Sequence, residues 1–242
     1  MIETYFNRIH QQLEQVQKSQ TEPMTQAAAH MAKSLQQGGI IQLFGCGHSH
    51  LLTLDVYYRA GGMVPVQPIL HEPLMLHEGA LRSSELERKN HYAETFLKEQ
   101  TIKPEDTVIV ISTSGRNPVP VDVALEAKKA EATVVVITSI AYSSSQPSRH
   151  EQGYRLADVA DVVIDNAAPP GDALLELEEV EVPFGPSSTA VGATILQAVM
   201  AQTVQELTSL GIDPPVFLSG NIDGADERNK RLIESYKDRI KL

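Results

Sequence analysis

The chain opens on a helical pattern. Ile2, Tyr5, Phe6, Ile9, Leu13 and Val16 recur at the spacing of one helix face. Ser19, Glu22 and Pro23 then have the form of a helix start, which predicts a break there and a second helix. Met24, Ala27, Ala28, Met31 and Leu35 carry the apolar face of that second helix, and Gly38-Gly39 ends it. From residue 40 the pattern changes to short apolar runs, 40–44, 64–70, 108–111, 134–137 and 159–164, with helical stretches between them at 51–60 and 118–130. Several runs are nearly continuous in Val and Ile instead of alternating. Strands covered on both faces read this way, so the pattern predicts an α/β fold: a doubly wound, mostly parallel, five-stranded sheet.

Two regions depart from this alternation. Residues 72–90 form a long insert rich in His, Glu and Arg, and 174–182 is an acidic, strand-like stretch. A long helix is predicted over 187–210, closed by Gly211. The last segment turns basic with Arg228, Lys230, Arg231, Lys237 and Arg239. With no internal repeat and no linker-like stretch, the expectation is one domain over 1–242: helices to residue 38, an α/β core over 39–210 and a C-terminal loop and helix over 211–242.

Charge narrows the partners. Twenty Lys and Arg against 31 Asp and Glu give a formal net charge of −11, which argues against nucleic acid and against an anionic membrane surface. A small anion remains compatible, because helix N-termini provide local positive potential. The single cysteine, Cys46, precludes an intrachain disulfide. No apolar run reaches the length of a membrane span, and the first ten residues lack the layout of a signal peptide. The expectation is a cytoplasmic protein.

Open α/β sheets bind ligands at the carboxyl ends of their strands. Two such ends have unusual composition here: FGCGHSH, residues 44–50, and STSGRNP, residues 112–118. Gly45 and Gly47 permit a tight turn and close backbone approach. Ser112, Thr113 and Ser114 offer three hydroxyls, with Gly115 and Asn117 next to a helix start. These are ingredients of a phosphate cradle that uses no lysine. Either loop alone is equally compatible with an ordinary helix cap. The first is not a dinucleotide fingerprint, because His50 stands where the third glycine belongs. Nor is it a nucleotide P-loop or a nucleophile elbow. Together the loops mean more, because a doubly wound sheet brings these two hydroxyl-rich segments side by side.

The stretch VIVISTSGRNPVPVDVALEAKKAEATVVVITS resembles the core of the sugar isomerase (SIS) domain. FGCGHSHLLTLDVYYRAGG is similar to that family's first strand and G-x-G-x-S loop. GPSSTAVGATILQAVMAQTVQEL resembles its Ser/Thr-rich turn and closing helix, most like the arabinose-5-phosphate isomerase branch. The likeness covers roughly residues 30–210, and the whole chain most resembles a stand-alone group of the family that goes under the name phosphoheptose isomerase.

The resemblance implies a sugar-phosphate ligand held by Ser112, Ser114 and Asn117 with the amides of Thr113 and Gly115. It implies that Ser49 and the Gly47 backbone line the sugar, and that Ser187, Ser188 and Thr189 complete the pocket or cap the long helix. It also implies a homodimer or higher homo-oligomer.

Moving a proton between C1 and C2 through an enediol calls for a base, and a second acid/base helps to open the ring. The insert HEPLMLHEG offers His71, Glu72, His77 and Glu78, and loop residue His48 stands where the arabinose-5-phosphate branch carries a Lys. The spacing HE-x4-HE is not a zinc motif and there is one cysteine, so neither a metal nor a cofactor is expected. One departure from the family bears on the reaction: the phosphoheptose isomerase branch has a histidine in the helix after the third motif, and residues 187–210 contain none. The terminal stretch from Gly211 has no counterpart in the branches compared, and its Asn221, Asp223, Asp226, Glu227 and Arg228 are candidates for a subunit or substrate contact. Isomerisation is the leading expectation. A phosphosugar sensor without turnover, and a lyase cleaving the lactyl ether of a muramic-acid phosphate, are the alternatives.

Overall fold

The computed structural model describes residues 1–241. One long helix, α1 (Ile2–Gln36), precedes the sheet. Then follow β1 (Ile41–Gly45), α2 (Ser49–Asp55) and β2 (Val66–Pro68). Two 3-10 turns, Glu72–Leu74 and Leu76–Glu78, lead into α3 (Ala80–Glu87) and the short α4 (Glu94–Leu97). The alternation resumes with β3 (Thr107–Ile111), α5 (Pro118–Lys129), β4 (Thr133–Thr138), α6 (Ile140–Ser144) and β5 (Val162–Asp165). Helices α7 (Ser188–Ser209) and α8 (Ala225–Tyr236) complete the described chain.

The five strands run parallel in the order β2-β1-β3-β4-β5. Residues of β1 and β3 are buried throughout, as the continuous apolar runs require. On one face, α1, α2 and α7 cover the sheet around Met31, Leu43, Ile111, Ile195 and Val199. On the other, α3, α4 and α5 cover it around Phe44, Phe96, Val110, Val123 and Ala127. Among the described residues no helix is long and apolar enough to cross a membrane.

Three sequence expectations need correction. The predicted break near Pro23 is absent: α1 runs through it. Proline there removes one intrahelical bond, but both halves are anchored. Val16, Ala27, Ala28 and Met31 are buried in the core shared with α7. Gln12 Nε2 donates to the Asn166 carbonyl at 2.8 Å, and the Asp165 amide donates to Gln20 Oε1 at 3.0 Å, pinning the first half to the end of β5. Residues 174–182 form no strand, only a single antiparallel bridge from Leu175 to Phe184. The fifth strand starts late because Leu156–Val159 is a 3-10 turn.

At the amino edge of the sheet Asp106 is fully buried. Its carboxylate accepts from the Ile40 and Lys103 amides and from Gln42 Nε2, each at 2.9 Å, and from Arg239 Nη2 at 2.9 and 2.8 Å. A carboxylate can leave water only when its lone pairs are filled in this way.

Candidate functional site

A parallel sheet ordered 2-1-3-4-5 reverses direction of growth between β1 and β3, and the crevice beyond their carboxyl ends is where ligands bind in this topology. Gly45 pairs with Ile111 as the last residues of the two strands, so loop 46–48 and loop 112–117 leave the sheet side by side at the same height.

The second loop is shaped by Gly115. Its φ is +57°, and a Cβ built there would lie 2.6 Å from Thr138 Oγ1 and 3.2 Å from Ser143 Oγ. Only glycine satisfies both the left-handed backbone and that space. The turn is tied down from behind. The Ser139 amide donates to the Thr113 carbonyl at 2.9 Å, the Leu156 amide to the Gly115 carbonyl at 2.8 Å, and Asn166 Nδ2 to Thr113 Oγ1 at 3.3 Å. Ser112 Oγ accepts from the Gly115 amide at 3.3 Å, an internal brace. The amides of Thr113 and Ser114 and the Ser114 hydroxyl have no partner among the described residues. Unspent donors in a rigid turn are what an anion requires.

The first loop is built in the same manner. Gly47 has φ +56°, and its amide donates to the Leu74 carbonyl at 3.0 Å. Ser49, half-buried at the start of α2, has a hydroxyl without a partner among the described residues. His50 is buried, with Nδ1 2.8 Å from the Gly47 carbonyl oxygen. The insert after β2 overhangs this loop. The His50 and His77 rings lie 6.1 Å apart, and His77 Nε2 is 3.7 Å from Glu78 Oε1. Of the acid/base candidates, His77 and Glu78 therefore stand together beside the first loop. Both are exposed, as are Glu72 and His48.

Other candidates have partners of their own. His71 stacks on Phe96 with centroids 4.5 Å apart, and its Nε2 is 2.9 Å from the Tyr92 hydroxyl, so it belongs to the core under α3 and α4. Desolvation there lowers its pKa below the ordinary imidazole value. Ser187 and Ser188 surround the Asp172 carboxylate: their amides donate at 3.0 and 2.9 Å, and their hydroxyls at 3.1 and 2.6 Å. This is a carboxylate cap on the N-terminus of α7, the second of the two roles expected for that turn. Thr189 is exposed on the first turn. Asn117 is buried, and its Oδ1 accepts from Arg149 Nη1 at 2.9 Å. Helix α5 begins with Pro118 and has Pro120 two residues on, so its first turn supplies few amide donors and the loop carries that task.

One residue that the sequence reading passed over is Glu87, the last residue of α3. It lies between the two loops, near Cys46 of the first and Asn117 of the second. Burial raises its carboxyl pKa, with the Asn117 side chain, Arg88 and Arg149 opposing the shift. It sits in the run LERKN, which has the composition of solvated surface, and no sequence signal separates it from its neighbours. Among the described residues no three His, Cys, Asp or Glu side chains group as a metal site.

The chain has similar proteins among known sequences and solved structures. The sequence profile of the SIS domain matches residues 4–139. A UPF0309 protein of Halalkalibacterium halodurans is 57% identical over all of this chain and 97% of its own length. Another, from Caldanaerobacter subterraneus, is 41% identical over all of this chain and 99% of its own. In fold, the phosphoheptose isomerase GmhA of Neisseria gonorrhoeae superimposes with a TM-score of 0.56 at 15% identity, covering 85% of this chain and 97% of that one. The sugar isomerase domain of an RpiR transcription factor from Sphaerobacter thermophilus does so at 0.50 and 12% identity, covering 98% and 97%. A doubly wound sheet, a paired-loop crevice at its switch point and a profile match over more than half of the sequence place this chain in the SIS domain family.

Proposed function

We propose that the chain is a phosphosugar isomerase that interconverts an aldose phosphate and its ketose through an enediol. The observation that carries the reading is the pairing of Gly45 with Ile111, which sets the turn with the unspent Thr113 and Ser114 amides and Ser114 hydroxyl beside the turn that presents the Ser49 hydroxyl. In this reading Ser112, Ser114 and the Thr113 amide hold the phosphate, joined by the Gly115 amide once it releases Ser112 Oγ, and Ser49 with the Gly47 backbone faces the sugar. Glu78 takes the proton from C2 of the aldose, the electron pair moves toward the carbonyl to form the enediol, and the proton returns to C1 of the ketose. His77, 3.7 Å from Glu78, exchanges the proton at the carbonyl oxygen and the ring oxygen. Glu72 and His48 are further acid/base candidates on the same rim. The fold is shared with the phosphoheptose isomerases of Neisseria gonorrhoeae and Francisella tularensis, and a cytoplasmic homodimer is in keeping with it.

Incubation with arabinose 5-phosphate, fructose 6-phosphate and amino-sugar phosphates in D2O, followed by NMR, tests the reading. Loss of the C2 proton signal of the aldoses, and of a C1 proton signal of fructose 6-phosphate, is expected, and Glu78→Gln abolishes that exchange while sparing binding. Ser114→Ala weakens sugar-phosphate binding by about 1–3 kcal/mol, the scale of a hydrogen bond to a charged group. Binding without exchange across the panel selects the sensor instead, a reading favoured by the solvent exposure of Glu72, His77 and Glu78. Lactate release from a muramic-acid phosphate selects the lyase.

A further inference from the structure

The groups assigned above to the phosphate are hydroxyls and amides, and the loop's ionised side chain, Arg116, is turned to the Pro147 carbonyl. A dianion approaching a protein of net charge −11 meets an unfavourable long-range field. Neutral donors hold such an anion once it has arrived but do not reverse that field. A further charge stands on a neighbouring segment, residues 147–150, which is sewn to the loop. The Arg149 amide donates to the Arg116 carbonyl at 2.9 Å, and Arg116 Nε donates to the Pro147 carbonyl at 2.9 Å. From the other side Asn90 Nδ2 donates to the Arg149 carbonyl at 3.4 Å, which brings the end of α3 and Arg88 to the same place. Arg88 and Arg116 both act electrostatically on Arg149. Among the described residues none of the three guanidinium groups forms a close ion pair, and Glu87 is the carboxylate that acts electrostatically on Arg149 and Arg88.

Arg149 is the best placed of them. Its Nη1 donates to Asn117 Oδ1 at 2.9 Å, and Asn117 is the residue on which the phosphate loop ends and α5 begins. Asn117 is 8% exposed and so holds a fixed position, whereas Arg149 is exposed. A guanidinium carries five N–H donors. The bond to Asn117 uses one and orients the planar group, leaving the other donors for an anion.

We infer that Arg149, aimed by Asn117, is the cationic partner of the bound phosphate, with Arg116 adding to the local field. The inference rests on the phosphate-loop reading given under the proposed function. It changes the part assigned to Asn117, which becomes a positioning residue acting through Arg149. It also accounts for an anion site without a lysine in its loop: the charge arrives on a separate segment.

The test uses inorganic phosphate and fructose 6-phosphate as probes, followed by phosphorus NMR and calorimetry, from about 20 to about 300 mM sodium chloride. Arg149→Gln is expected to weaken phosphate binding roughly tenfold or more and to flatten its salt dependence. Arg149→Lys, which restores a point charge without the planar fork, recovers the salt dependence and part of the affinity. Ser114→Ala weakens binding but keeps the native salt slope, because it removes a neutral donor. A purely structural role for Arg149 would not separate slope from affinity in this way. If Arg149→Gln binds phosphate with native affinity and slope while Ser114→Ala is weakened, the inference is wrong and the loop assignment stands. If the same salt slope persists in both Arg149 variants, the inference is equally wrong. If native protein binds neither probe, the loop assignment fails and this inference with it.

Discussion

Replacing Gly115 by alanine separates two physical costs that the site combines. The first is conformational. Gly115 sits at φ +57°, where an L side chain costs about 1–2 kcal/mol. The second is steric. The new Cβ would stand 2.6 Å from Thr138 Oγ1 and 3.2 Å from Ser143 Oγ, and both residues are almost wholly buried, Thr138 at 0% and Ser143 at 2% exposure. Neither neighbour has space to retreat, and overpacking of this kind costs about 1–3 kcal/mol. The sum is about 2–5 kcal/mol, a large part of the stability of an ordinary domain. Gly153 provides the control: its φ is +77°, yet a Cβ there meets nothing within 4 Å. Gly153→Ala therefore bears only the conformational cost. Urea denaturation of both variants isolates the steric part as their difference, about 1–3 kcal/mol. Because Thr138 Oγ1 also donates to the Thr113 carbonyl, its displacement shifts the loop, so Gly115→Ala loses sugar-phosphate affinity while Gly153→Ala keeps it. Equal stability of the two variants, or native affinity in Gly115→Ala, would refute the account of the loop.

Three further outcomes are expected. Arg239→Met leaves the fully buried Asp106 carboxylate without its cation and destabilises the fold by about 3 kcal/mol, toward the low end for a broken buried pair because the Ile40, Gln42 and Lys103 donors remain. A urea midpoint equal to that of native protein would contradict it. Cys46 is buried, and burial first and Glu87 second hold its thiol well above the usual range, so iodoacetamide at about pH 8 leaves it unmodified until urea unfolds the chain. Rapid alkylation of native protein would disprove that. His91 Nδ1 lies 3.0 Å from Glu94 and its Nε2 3.0 Å from Glu151, and these bonds raise its pKa. A raised folded-state pKa means that the stabilisation is complete below the ordinary value of about 6.5 and is lost as pH rises through the folded-state value. An NMR titration places the His91 midpoint above about 6.5, and the stability difference between native protein and His91→Gln shrinks with rising pH; a growing difference would reverse the assignment.

The parts of the fold visible in the sequence are those where one local pattern and the tertiary environment agree. The Val and Ile runs that became β3 and β4 are buried on both faces, so composition and location coincide. The loops 45–49 and 112–117 were recognisable because their glycines and hydroxyls serve the backbone locally. Pro23 misled because its local preference was outweighed by contacts with α7 and the end of β5, which lie more than a hundred residues away. The acidic stretch 174–182 imitated a strand by alternation alone, with no partner strand available beyond one bridge. The Asp172 cap was hidden for a related reason. The capping carboxylate is 15 residues before Ser187, outside any local capping signature. Glu87 and Arg149 were hidden likewise, since each reaches the site by helix or loop packing and carries no motif of its own.

The two faces of the sheet differ in how far apart in the chain their partners lie. On the α5 side the covering helices sit between the strands they cover. On the other side α1 must meet α7, and a contact such as Thr203 with Met31 spans 172 residues. Closing a segment that long costs entropy before any contact repays it. During synthesis α1 emerges well before α7, so the part of its apolar stripe that α7 covers waits uncovered. The half built around β3, α5 and β4 assembles from near neighbours meanwhile. The turn after β1, backed locally by α2, acquires its α7 backing only once that distant pair has docked.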